Sequence, residues 1–154
     1  MIEEIENWIN KIKDTHPNLN GHSICPFAKT NTYKIIKCSI DEIKPLNEKF
    51  GVVIFVIEDN ITEKYIFKKI KEFNKKYSEY TFFEDLKNRP TFINEIQTNN
   101  GKHNLILYQN AKFLTRMRYI LAKTNYYDFW SSTYLKKILK KDYNDVQKIR
   151  SDKN

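Results

Sequence analysis

Residues 52–57 read VVIFVI, six apolar residues in a row, five of them β-branched. A run this short, bounded by Gly51 and by the Glu58-Asp59-Asn60 turn, predicts a strand. Its lack of polar alternation requires both faces to be covered. The next residues, ITEKYIFKKIKEFNKKY at 61–77, change period. Ile66, Ile70, Phe73 and Tyr77 fall on one helical face, with Thr62 or Asn60 placed to cap it. YTFFE, at 80–84, returns to strand. A strand–helix–strand unit of this kind predicts a right-handed parallel crossover. The chain is thereby committed to a sheet with helical cover.

The remaining segments extend this pattern. Ile2, Ile5, Ile9 and Ile12 give residues 2–14 an apolar helical stripe, with acids early and lysines late, as the helix dipole favours. DTHPNLNG breaks that helix with Pro17, Asn18, Asn20 and Gly21. YKIIKCSI (33–40) and NLILYQ (104–109) predict two further strands. Residues 85–103 form a long connection, of the kind that often carries function. AKFLTRMRYILAKT (111–124) predicts a helix, with Leu114, Met117 and Leu121 on one face. After NYYDFWSS, Tyr134, Leu135, Ile138 and Leu139 mark another. The expected fold is one α+β domain over 1–142. It is a roughly four-stranded mixed sheet with helices packed on it, ferredoxin-like in layering, with a helical C-terminus and a flexible polar tail at 143–154. Strand order is left open by the pattern.

With 154 residues, 40% hydrophobic and 14% aromatic, the chain has globular and not disordered composition. Its longest apolar run is far too short to span a bilayer. The acidic start, MIEEIENWIN, lacks the apolar core of a signal peptide. Two cysteines make no disulfide framework. A cytoplasmic protein with reduced thiols and no membrane contact is expected. Lys, Asn and Ile are abundant, as AT-rich coding in a bacterial or phage source would produce. No phosphate loop, GxGxxG, HExxH or GxSxG is present, so no cofactor is expected.

Chemistry concentrates in GHSICPFAKT, residues 21–30. Pro26 suits the first position of a helical turn, which would make Cys25 its N-cap. Unpaired N–H groups and the dipole there favour thiolate. His22 is near enough in sequence to act as base, and Lys29 adds positive charge and a substrate contact. Burial as a packing residue between Ile24 and Phe27 is the other role open to Cys25. The stretch differs from the Cys-Pro-aromatic-Cys site of glutaredoxins, because Ala28 stands where the second thiol would be. A zinc site would have to combine His22 and Cys25 with Cys38 and His103, at spacings that match no zinc pattern, so no metal is expected.

ICPFA, following an N-terminal helix that carries Trp8, resembles a bacterial domain family with a Leu-Cys-Pro-Phe-Ala motif after such a helix. The matching residues are Trp8, Ile24, Cys25, Pro26, Phe27 and Ala28, and Asn88 to Pro90 correspond to an Asn-Arg segment of that family. The resemblance implies that Cys25 is special without implying a reaction.

Two other segments are candidates. FFEDLKNRP places Glu84 and Asp85, as acid/base groups, and Asn88 and Arg89, as substrate contacts, at a strand end. The second candidate is electrostatic. Residues 1–109 carry 16 Lys+Arg against 15 Asp+Glu, whereas residues 110–154 carry 11 against 4. Lys112, Arg116, Arg118, Lys136, Lys137 and Lys140, with Tyr126, Tyr127 and Trp130 between them, form the alternative site: cations for phosphates and rings for bases. The partners expected are a small molecule or an acidic partner, with nucleic acid as the alternative.

Overall fold

The computed structural model describes residues 2–26 and 32–153. The helices are α1 (Ile2–Lys13), α2 (Glu63–Lys76), α3 (Ala111–Ala122), α4 (Ser132–Leu139) and α5 (Tyr143–Asp152). The strands are β1 (Tyr33–Cys38), β2 (Val52–Ile57), β3 (Tyr80–Asp85), β4 (Phe92–Ile93), β5 (Ile96–Gln97) and β6 (Leu105–Asn110). The fold is α+β, with a four-stranded mixed sheet in the order β1-β2-β6-β3 and a helical C-terminus.

β1 runs parallel to β2, pairing Tyr33 with Val52 and Cys38 with Ile57. β6 is antiparallel to both β2 and β3 and lies between them. The β2–α2–β3 unit is therefore a parallel crossover opened by one strand, and β2 is covered on both faces as its composition requires. Val53, Phe55 and Ile57 point to α2, where they meet Ile66, Ile70, Phe73, Phe82, Ile106 and Tyr108. Ile54 and Val56 point the other way, joining Leu105 and Leu107 beneath Ile5 and Ile9 of α1. Thr62 caps α2 by accepting the N–H of Tyr65 at 3.2 Å.

The long connection at 85–103 is not structureless. It holds the β4–β5 hairpin, whose two turn residues, Asn94 and Glu95, both have positive φ, 46° and 70°. Two such residues match the twist of a tight hairpin. Ile93 packs inward, while Phe92 faces solvent.

Residues 143–152, expected as a flexible tail, are a helix. α5 packs on α3 through Val146, which is fully buried, with Ile149 beside it. The chain reaches α5 from α4 through Lys140, whose φ is 47°. The preceding residues add Leu121, Tyr126, Tyr127, Leu135 and Leu139 to the same apolar cluster.

Candidate functional site

Cys25 lies where α1, the β4–β5 hairpin and the C-terminal helices meet. Ile12, Leu19, Ile24 and Ile93 form the buried part of that junction. Half-buried Trp8, Ile96, Trp130 and Tyr134 pack around it with Cys25. The Cys25 N–H donates to the carbonyl of Ile12 at 2.9 Å, which fixes the loop against the end of α1. The loop reverses at Asn20 and Gly21, with φ of 58° and 80°. It then bridges back through Ser23 to Thr15.

Three hydrogen bonds and a ring contact strap this loop to the segment between α3 and α4. His22 Nε2 lies 2.7 Å from Asn125 Oδ1. Asn20 Nδ2 donates to the Asn125 carbonyl at 3.3 Å. The Tyr126 hydroxyl donates to the Ile24 carbonyl, and its ring tilts against that of His22, with centroids 5.6 Å apart. Burial pushes the Tyr126 hydroxyl well above its ordinary range, and the nearby Cys25 pushes in the same direction. Tyr126 therefore stays protonated and acts only as a donor. Phe27, Ala28 and Lys29, and the helical turn expected after Pro26, fall at 27–31 or run into it, outside the described residues.

The 84–90 segment is divided by strand geometry. Successive side chains of β3 point to opposite faces, so Glu84 shares the α2 face with Phe82, and Asp85 the α1 face with Phe83. Asp85 accepts from the Asn100 N–H at 2.9 Å and from its side-chain amide. Burial nevertheless raises its carboxyl from 3.8 to about 6. Burial is the main reason the Tyr134 hydroxyl is raised above its ordinary value, and the Asp85 charge adds to it. Arg89 is committed elsewhere: its Nε meets Glu63 Oε1 at 2.7 Å and its guanidinium covers the Phe67 ring of α2. Asn88 lines a cleft at the start of α2. Cys38 is buried on the α2 face. Among the described residues, no group of three His, Cys, Asp or Glu side chains is arranged to hold a metal ion.

The basic C-terminal residues separate in the same way. Lys112, Arg116, Lys136, Lys137 and Lys140 are exposed. Arg118 instead turns inward to Asp142, with N···O at 3.0 Å. Tyr126 and Tyr127 are core residues, 7% and 2% exposed, and Trp130 meets both rings edge-on. Tyr126 and Tyr127, buried this way, offer no open face for a base to stack on.

Asn125 is the member of the junction that sequence reading missed. It stands 103 residues from His22, and an Asn before an aromatic segment carries no signal of its own. No family model, curated protein or solved structure matches the chain.

Proposed function

We propose that the chain works through a thiol site in which Cys25 is the nucleophile, His22 its base and Asn125 the residue that orients the base. The observation that carries this reading is the 2.7 Å contact between His22 Nε2 and Asn125 Oδ1. An amide oxygen accepts and does not donate, so in this reading the imidazole carries its proton on Nε2. The lone pair is then on Nδ1, the nitrogen that receives the Cys25 proton as the sulfur becomes thiolate. A base held by a third group is the recurring plan of activated nucleophiles. The half-buried position of Cys25 among Trp8, Trp130 and Tyr134 supplies an apolar rim for a small electrophilic substrate. Lys29 belongs to the same proposal as its anion contact.

The test is the alkylation rate of Cys25 by iodoacetamide, followed by intact mass in a Cys38→Ser background. His22→Gln is expected to slow the reaction about 10²-fold, the lower end for loss of a positioned base. Asn125→Ala slows it less, and Tyr126→Phe, which loosens the strap without touching the base, leaves it nearly unchanged. Equal rates in all four chains would reject the base role.

A further inference from the structure

A cleft of about 560 Å³ opens at the carboxyl end of β2, away from the cysteine junction. Its walls come from three places: residues 57–63 from the last residue of β2 onward, residues 87–88 after β3, and residues 102–104 before β6. β1, β2 and β3 all end at this edge of the sheet, and β6 begins there. Open sheets commonly bind ligands at such carboxyl edges.

Most of the charges in the walls are already committed. Asp59 Oδ2 accepts the Ile40 N–H at 2.9 Å. Glu63 is paired with Arg89. Lys102 lies 3.5 Å from Glu4. Two are left over. The side chains of Glu58 and Lys87 make no hydrogen bond or ion pair among the described residues, and they stand on different walls. Asn60, Asn88 and Asn104 add amides. Asn104 Oδ1 accepts the Lys87 N–H, which leaves the Asn104 amide group as a donor. His103 Nε2 is buried in the wall without a hydrogen-bond partner, near Glu4 at 3.5 Å. Among the described residues the lining holds no Phe, Tyr or Trp ring, so no broad apolar ring face is provided for a base or a sugar to stack on.

One uncommitted carboxylate, one uncommitted ammonium and several amides make a complementary set for a compact molecule carrying both charges. We propose that this cleft binds an amino-acid-type zwitterion. Glu58 receives its ammonium, Lys87 its carboxylate, and Asn60, Asn88 and Asn104 its remaining polar groups. Charge-assisted hydrogen bonds to both ends are the stronger kind and fix orientation. The proposal is independent of the thiol site.

The test uses the intact chain and two readouts, thermal unfolding and titration calorimetry. The probes are glycine, L-glutamine, L-lysine and L-glutamate, with sodium acetate and methylammonium chloride as single-charge controls. At least one amino acid is expected to raise the unfolding midpoint saturably, as a ligand of the native state must. The controls at equal concentration are expected not to. Glu58→Gln and Lys87→Met are expected to weaken binding about tenfold or more each. Both residues are exposed, so the midpoint without ligand should not move. No saturable binding by any of the four amino acids would overturn the proposal, as would binding that both substitutions leave intact or that the controls reproduce.

Discussion

Arg118 and Asp142 form an ion pair at 3.0 Å with side chains only 13% and 5% exposed. The pair ties α3 to the junction of α4 and α5. Thr115 Oγ1 donates to the same carboxylate oxygen at 2.9 Å, and Arg118 Nη2 donates to the Ile138 carbonyl at 3.2 Å. Removing one partner strands a buried charge, which costs about 3–5 kcal/mol. Asp142→Ala is therefore expected to lower unfolding free energy by that order in denaturant titration. Replacing both partners with apolar side chains, as in Arg118→Met with Asp142→Leu, is expected to recover most of the loss. A single variant of wild-type stability would contradict the structural role given to Arg118.

Asp85 makes a prediction of opposite sign to the usual carboxylate. Its carboxyl is raised to about 6 because burial outweighs the two hydrogen bonds from Asn100. Between the unfolded value, 3.8, and about 6, the native state holds a proton that the unfolded state has released. Stability from this group therefore falls as pH rises through that window, and the penalty is fully present above it. Asp85→Asn keeps an acceptor for Asn100 and removes the charge. The variant is expected to be more stable than wild type near neutral pH by about 3 kcal/mol, with the difference shrinking toward acid. A pH-independent difference between the two chains would show that the Asp85 carboxyl is not raised.

Cys38 is expected to be silent. It is 8% exposed, and burial together with the carboxylates of Glu42, Glu58 and Asp59 pushes its thiol up to about 11. Only about a thousandth of it is thiolate at about pH 8. Iodoacetamide should add one label to the native chain and two after denaturation. Peptide mapping should place the native label on Cys25. A native label on Cys38 would contradict its burial.

The parts of the fold legible in the sequence were those with a clear period. VVIFVI, the Ile2/Ile5/Ile9/Ile12 stripe and the Leu114/Met117/Leu121 stripe each predict the element found there. Two elements were not legible. The β4–β5 hairpin turns on Asn94-Glu95, without the glycine that usually announces such a turn. α5 carries a narrow apolar stripe, Val146 and Ile149, in a polar segment, and its helix is supported by packing on α3. Strand order was open because the insertion of β6 between β2 and β3 depends on pairing, which local pattern does not encode. The candidate site divides likewise. Cys25 and His22 stand out through proximity in the chain. Asn125 is brought to His22 only by the docking of the C-terminal helices, and alternation along β3 separates Glu84 from Asp85.

The pH–rate profile of Cys25 alkylation in the Cys38→Ser chain tests the central claim most directly. A thiol activated by an oriented His22 reaches its plateau near neutral pH. An ordinary thiol keeps accelerating through about pH 8.5. The account predicts the early plateau, and its loss in His22→Gln. A rate that climbs through the ordinary thiol range in both chains, or a Cys25 that reacts only after unfolding, would contradict it.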